Sequence, residues 1–388
     1  MNTRGILSIA TNMKILLGML IFITVGVSAQ KFYFGDINNL VIFKTSFYNL
    51  INHKDLYDGL NIYKDQHLDL FKYSPAFALL FAPLAVLPLM ADLILWNLLN
   101  VVLFFFAVKS LPFNDQKKSV IIWLTLLELI TSTQCNQSNT LMAALIIFAF
   151  TAMENKNILL ATFCIVFSVY IKLFGAIAFI LFLFYPNKLK TALYSLMWMV
   201  ILFFLPMVVV SPAELVTIYK SWANMLHMDE FTSWGLSVMG IINIGFGTNI
   251  SKTIIQVIGL GLLCIPLLRI KLYQNLQFKL LYLCSILLWV VIFNHKAESP
   301  SFIIALAGVA IWFVMLEPKP LTTYLVLFAI AFTSLAHSDL FPHSFKVDYI
   351  LHYRLKCLPS FILWLVIQYS IYVMAFKPST LLANTKAV

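Results

Sequence analysis

The sequence predicts an all-α, polytopic membrane protein with about 12 transmembrane helices. Three observations carry that expectation. Of 388 residues, 61% are hydrophobic, more apolar surface than a globular core absorbs. Only 11% carry charge, against roughly 25% in soluble domains. The apolar residues also fall in long runs without the period-two alternation of barrel strands, so each run is expected to be a helix that pairs its own backbone groups.

Taken in order, the runs lie at 13–30, 75–90, 93–110, 118–133, 137–153, 157–186, 190–211, 252–270, 278–294, 300–316, 320–337 and 358–376. In the first, Arg4 and Lys14 precede the apolar stretch from Ile15 to Val27, which closes with Val27-Ser28-Ala29. It reads as an uncleaved first span or as a removable signal peptide, and the many later spans favour the former. Residues 75–110 also admit two readings. Two crossings suit the length but put Lys109, Lys117 and Lys118 outside, against the positive-inside rule. One crossing repairs the charge pattern and turns 157–186 into a pair of short spans. Only that version puts residues 134–139 and Lys172 on the outer side.

Three polar segments interrupt the runs, at 31–73, 212–250 and 338–357. Lys188, Lys190, Arg269, Lys271, Lys319 and Lys377 make small basic connectors, which the positive-inside rule assigns to the cytoplasm. The polar segments then emerge as three outer loops of a single integral membrane domain, 1–388. Within the first, Ile37, Leu40, Val41, Phe47, Tyr48 and Ile51 recur at helical spacing among Asn38, Asn39, Asn49 and Asn52. That pattern suits a helix lying in the membrane interface, with Lys44 snorkelling from its apolar stripe.

The net charge of +10 does not indicate nucleic acid, because the basic residues stand singly or in pairs between apolar runs. The cysteines (Cys135, Cys164, Cys264, Cys284, Cys357) form no C-x-x-C pair, which implies neither a disulfide framework nor a metal site. No Walker loop, G-x-G-x-x-G or G-x-S-x-G pattern occurs, so ATP-driven transport and serine hydrolysis find no support.

Several residues are placed to do chemistry, each with a plainer alternative. Asp36 is either a general base at the water–lipid boundary or the N-cap of the interfacial helix. Asp55, Asp58, Asp65 and Asp69, among Lys54, Lys64 and Lys72, bind a cation or sugar hydroxyls, or form a solvated loop face. Lys172 interrupts a run of nearly thirty residues; it holds an anionic phosphate or marks the edge between two short spans. Glu128 pairs with a basic group or makes a structural contact. Gln134-Cys135-Asn136-Gln137-Ser138-Asn139 lines a sugar-binding cavity or satisfies helix ends. Asn294-His295-Lys296-Ala297-Glu298-Ser299-Pro300 carries His295 and Lys296 toward a phosphate leaving group, or is an ordinary turn. Ser233, Trp234 and Ser237 add weaker polar and stacking candidates.

The stretch Lys72-Tyr73-Ser74-Pro75-Ala76-Phe77, continuing through Ala82-Pro83-Leu84-Ala85-Val86-Leu87-Pro88 to Trp96-Asn97, resembles glycosyltransferase family 87. Gly35-Asp36 and Asp55-Leu56-Tyr57 before it, and Asn136-Gln137-Ser138-Asn139, Lys172-Leu173-Phe174 and the His295–Pro300 turn after it, agree in order. The resemblance implies a C-type glycosyltransferase architecture with interfacial helices in the first outer loop. It also implies Asp36 as catalytic base, and it matches Gln137 and Asn139 to a Gly-Gln-x-Asn motif in which Asn136 replaces glycine. Lys172-Leu173-Phe174 matches a Lys-Leu/Phe-Pro pattern in which Gly175 replaces proline.

The implied reaction is inverting transfer of a hexose, mannose among the candidates, from a polyprenyl-phosphate donor to a hydroxyl of a glycolipid or glycan acceptor. It runs on the outer face of the cell membrane. Lys172, His295 and Lys296 are the expected donor-phosphate contacts, and Tyr73, Gln137, Asn139 and Glu298 the expected sugar or acceptor contacts. The scheme requires no cofactor and does not exclude a divalent metal. The lipid bilayer is a partner and nucleic acid is not. A transporter or flippase of lipid-linked glycans would call for polar residues near the midplane of a repeated chain, and no repeat is visible. A glycan ligase would place its acid in a late loop, whereas here it lies early.

Overall fold

The computed structural model describes residues 10–58, 62–63, 66–67, 69–230, 233–247, 250–317, 319–335 and 341–374. Arg4, Lys64, Asp65, Lys377 and residues 338–340 of the third polar segment lie outside the described residues. Among those described, regular structure is helical apart from one small hairpin. In it Ile62–Tyr63 (β1) pairs antiparallel with Gln66–His67 (β2), Ile62 opposite His67.

The chain divides into two compact units. The first comprises 1–119, 129–176 and 189–233, and the second 120–128, 177–188 and 234–388.

In the first unit, α1 (Met13–Phe34) starts on Asn12, whose side chain accepts from Lys14 N and Ile15 N, and stops at left-handed Gly35 (φ 72°). It runs unbroken through Val27-Ser28-Ala29. Its buried residues, Met13, Leu16, Leu20, Thr24 and Ser28, form one stripe at helical spacing. That stripe packs on α4 (Leu89–Ser110), and between them in the chain come α2 (Asn38–Ile51) and α3 (Pro75–Leu80). Six residues of α3 and the four of the turn Ala82–Ala85 are too few to cross about 30 Å of hydrocarbon. Residues 75–110 thus hold one long apolar helix, as the charge pattern expects.

The face of α2 turns out differently from the expected interfacial stripe. Leu40, Phe43, Phe47 and Leu50 are buried against α3 and the Ala82–Ala85 turn, while Tyr48 is exposed. Phe43 is the centre of a ring cluster, 4.9 Å from Tyr73, 5.3 Å from Phe77 and 5.5 Å from both Phe81 and Trp96. Lys44 does not snorkel: its ammonium donates to the carbonyls of Ala85 and Leu87 at the end of that turn. The aromatic residues of the loop find a protein partner, and so the helix docks on its own chain.

The helix α5 (Asp115–Gln134) contributes its ends to the first unit and residues 120–128 to the second. The hairpin α6 (Asn139–Glu154) and α7 (Ile158–Ile171) follows, with α6 also packed on α4. At Lys172 the backbone is extended, and Leu173–Phe184 continues as a 3₁₀ helix. Twelve residues at about 2.0 Å rise reach roughly 24 Å. Next come α8 (Lys188–Phe204), prolonged by a 3₁₀ turn to Val208, and α9 (Pro212–Glu230).

The second polar segment is therefore largely helical. Its α9 is fastened to the first loop by Ser221 Oγ donating to Asp55 (2.6 Å), by Lys72–Asp229 (3.1 Å) and by His53–Glu214 (2.9 Å).

In the second unit, α10 (Val238–Phe246), α11 (Lys252–Cys264), α12 (Leu276–Ile292), α13 (Phe302–Met315), α14 (Pro320–Ala329) and α15 (Leu358–Val373) follow in order. The antiparallel pair α12–α13 is buried along nearly its whole length, and α15 packs on both, Trp364 Nε1 donating to Ser285 Oγ at 2.9 Å. Arg269 donates to the carbonyls of Ile371, Tyr372 and Met374, closing the C-terminal end of α15 where a cation complements the helix dipole.

Among the described residues, four helices are long and apolar enough to cross a membrane: α1, α4, α8 with its 3₁₀ extension, and Leu355–Val373. Seven more apolar helices among those residues have 10–17 residues. The expected dozen crossings came from run lengths in the sequence; of the other eight runs, six fold as these shorter helices, 75–90 holds only α3 and the Ala82–Ala85 turn ahead of α4, and 118–133 lies within α5.

Candidate active site

The Tyr-Ser-Pro stretch builds a helix start. Ser74 is the N-cap of α3, its hydroxyl accepting from Phe77 N, and Pro75 stands at the first helical position, where no N–H is needed. This fixes Tyr73 just before the helix, stacked on Phe77 with ring centroids 4.7 Å apart. Its carbonyl accepts from the Tyr57 hydroxyl at 2.9 Å. Burial, with smaller contributions from Tyr219 and Asp55, pushes the Tyr57 phenol well above its ordinary pKa, so it stays a donor. Asp55 accepts from Tyr57 N (2.9 Å) and Ser221, and Asp69 accepts from Asn38 (2.7 Å). Both act as structural acceptors.

The polar turn 134–139 is read by α4. Trp96 Nε1 donates to the Asn136 carbonyl (2.9 Å), and Asn97 Nδ2 to both Asn136 Oδ1 (3.1 Å) and Ser28 Oγ (2.9 Å). Asn100 Oδ1 accepts from Leu141 N (3.1 Å), capping α6 from a neighbouring helix. Asn136 has φ +54°. Asparagine is among the few non-glycine residues that enter the left-handed basin, so it makes this bend without a glycine.

Past this bend, Gln137, Asn139 and Lys172 form a directed chain. Lys172 Nζ donates to Asn139 Oδ1 (2.7 Å), and Asn139 Nδ2 to Gln137 Oε1 (2.6 Å). The Lys172 ammonium also lies 5.8 Å from the ring centroids of Tyr73 and Phe174, and Ser138 Oγ donates to the Tyr73 hydroxyl at 3.1 Å. Four expected site residues, Tyr73, Gln137, Asn139 and Lys172, thus meet in one cluster. Gly175 makes the bend below it possible. A Cβ at this position would come within 2.5 Å of Ser168 Oγ, and its N–H donates to the Lys172 carbonyl (2.9 Å), which proline cannot do.

Asp36 belongs to the same unit. It does not cap α2, whose N-cap is Ile37 without a side-chain bond; its carboxylate, 66% exposed, pairs with Lys31 of the last turn of α1. One turn onward, Asn39 Nδ2 donates to the Cys135 carbonyl (2.8 Å), tying the start of α2 to the polar turn.

His295, Lys296 and Glu298 belong to the second unit, on the turn between α12 and α13. Asn294 Oδ1 accepts from Lys296 N (2.9 Å), the Ala297 carbonyl from Leu236 N (2.8 Å), and Glu298 N donates to Ser301 Oγ (3.3 Å). Gly235, at φ +58°, lies so close to the turn that a Cβ would meet the His295 carbonyl at 2.6 Å. Ser237 is the N-cap of α10, and Trp234 carries Lys252 over its ring at 5.0 Å.

The partner of Glu128 is Lys356, which sequence reasoning left unassigned in the third polar segment. Its Nζ lies 3.0 and 3.3 Å from the two Glu128 oxygens and 2.7 Å from Ser299 Oγ. The signal for it was Glu128 itself, since a carboxylate inside an apolar run demands a counter-charge.

The profile described as Glycosyltransferase family 87 matches residues 71–338, well over half of the chain. The chain belongs to glycosyltransferase family 87. It is a membrane glycosyltransferase, and the matched stretch takes in the cluster around Lys172 and the whole 294–301 turn, while Asp36 precedes it. No curated protein sequence matches the chain. Among the described residues no group of three or more His, Cys, Asp or Glu is arranged to hold a metal ion.

Proposed function

We propose that this family 87 member transfers a hexose from a polyprenyl-phosphate donor to an acceptor hydroxyl on the outer face of the cell membrane, with inversion. The observation that carries the reading is the Lys172 cluster. An ammonium at a break between two apolar segments, beside amides, a tyrosine ring and hydroxyls, suits an anionic phosphate with a sugar attached.

In this scheme Asp36 takes the proton of the acceptor hydroxyl. The acceptor oxygen forms a bond to the anomeric carbon from the face opposite the phosphate, while the bond from that carbon to the phosphate oxygen breaks. The electron pair leaves on polyprenyl phosphate, and Lys172 offsets its developing charge. His295 and Lys296 are proposed phosphate contacts on the 294–301 turn. Tyr73, Gln137, Asn139 and Glu298 are proposed sugar or acceptor contacts. Mannose is the first donor to try.

The test uses purified full-length protein with short-chain polyprenyl-phosphate hexoses, measuring release of polyprenyl phosphate. Asp36→Asn should cut turnover by at least a hundredfold, the scale of a lost general base, with donor binding retained. Undiminished turnover in that variant removes Asp36 from the reaction. Failure of every polyprenyl-phosphate sugar to turn over removes the donor class.

A further inference from the structure

The 294–301 turn must hold two basic side chains, His295 and Lys296, in place at the end of a buried helix pair. Within it, Ala297 N donates to Asn294 O and Ser301 N to Glu298 O, both short-range bonds. One side is backed by Leu236. At the other, Ser299 Oγ accepts from Lys356, which comes from a segment more than fifty residues later.

Lys356 is 2% exposed and Glu128 fully buried. An ammonium has three N–H donors and no acceptor. Here three acceptors surround it, both Glu128 oxygens and Ser299 Oγ, with the Phe302 ring centroid 5.3 Å away. The complement is full, so Lys356 has no donor left for a substrate. Its carbonyl accepts from Thr333 Oγ1 (3.1 Å), which fixes the backbone as well.

We propose that Lys356, oriented by Glu128, is a positioning residue that sets the 294–301 turn through Ser299. Glu128 locks the ammonium, the ammonium locks Ser299, and Ser299 opens the short helical turn Ser299–Ser301 directly after Glu298. The inference rests on the phosphate-contact role proposed for His295 and Lys296.

The test compares Ser299→Ala and the neutral double variant Glu128→Gln/Lys356→Met with the wild-type chain. Lys356→Met alone leaves a buried carboxylate unpaired and is expected to fold poorly. Two quantities are read: hydrogen exchange across 294–301 against the rest of α12 and α13, and the donor KM against kcat in the polyprenyl-phosphate assay. Ser299→Ala and the double variant should raise exchange in the turn while α12 and α13 keep their protection. Donor KM should rise roughly tenfold, the worth of one hydrogen bond to a charged group, with kcat far less affected.

Wild-type exchange and KM in both variants overturns the inference. So does equal loosening of turn and helices, which marks a merely structural contact. If the wild-type chain transfers no sugar from any such donor, the donor reading falls, and exchange in the turn decides this inference on its own.

Discussion

Lys172 shows how a single side chain joins backbone and site. Two readings of it were open in the sequence, a phosphate contact and an edge between short spans. The second describes its position: α7 ends there and a 3₁₀ segment begins. The edge leaves the ammonium facing Asn139 and Tyr73, and this geometry supports the first reading. Lys172→Met is expected to raise donor KM by about tenfold to a hundredfold, the range of a charge-assisted hydrogen bond. Lys172→Arg should recover only part of that, because a planar fork does not reproduce a point charge. Equal KM for wild type and Lys172→Met would take the phosphate away from this residue. The motif residues were legible because polar groups in apolar runs stand out. Asn100 was not, since nothing in its own helix says that it caps α6. Nor was Lys356, which sits in a polar segment where a lysine is unremarkable.

At the scale of the elements, α2 is the instructive case. Its helical period was legible, and so was its amphipathicity. What it packs against was not, because a stripe of Leu and Phe suits a membrane interface and an aromatic protein surface equally well. Phe43, Tyr73, Phe77, Phe81 and Trp96 decide it by closing into one cluster. Phe43→Ala should cost about 3–5 kcal/mol, as for other buried large-to-small changes. It should also loosen the link between α2 and the polar turn, measured by thermal unfolding and by exchange over residues 38–51. A change within about 0.5 kcal/mol, the size of an ordinary surface substitution, would show that α2 is not held by this cluster. By contrast His53–Glu214, with His53 mostly exposed, is worth no more than about 1 kcal/mol.

For the whole molecule, class and family were plain from composition and a few motifs, whereas the number of crossings was not. Run length cannot separate a full span from a short buried helix, and seven apolar helices among the described residues have 10–17 residues. The charge rule still makes a sharp statement about sidedness. In a chain stripped of native cysteines, Asp58→Cys should react with an impermeant maleimide applied outside, and Lys271→Cys only after permeabilisation. Labelling of both from the same side would end the outer-face assignment.

The 3₁₀ segment Leu173–Phe184 adds a mechanical consequence, for it is a covalent passage from one unit to the other. The same twelve residues wound as an α-helix would be about 6 Å shorter. Any substitution that rewinds it, at Gly175 above all, would draw Lys172 and Phe184 together by the width of two atoms. Winding here is a ruler for the length of chain that follows the Lys172 cation.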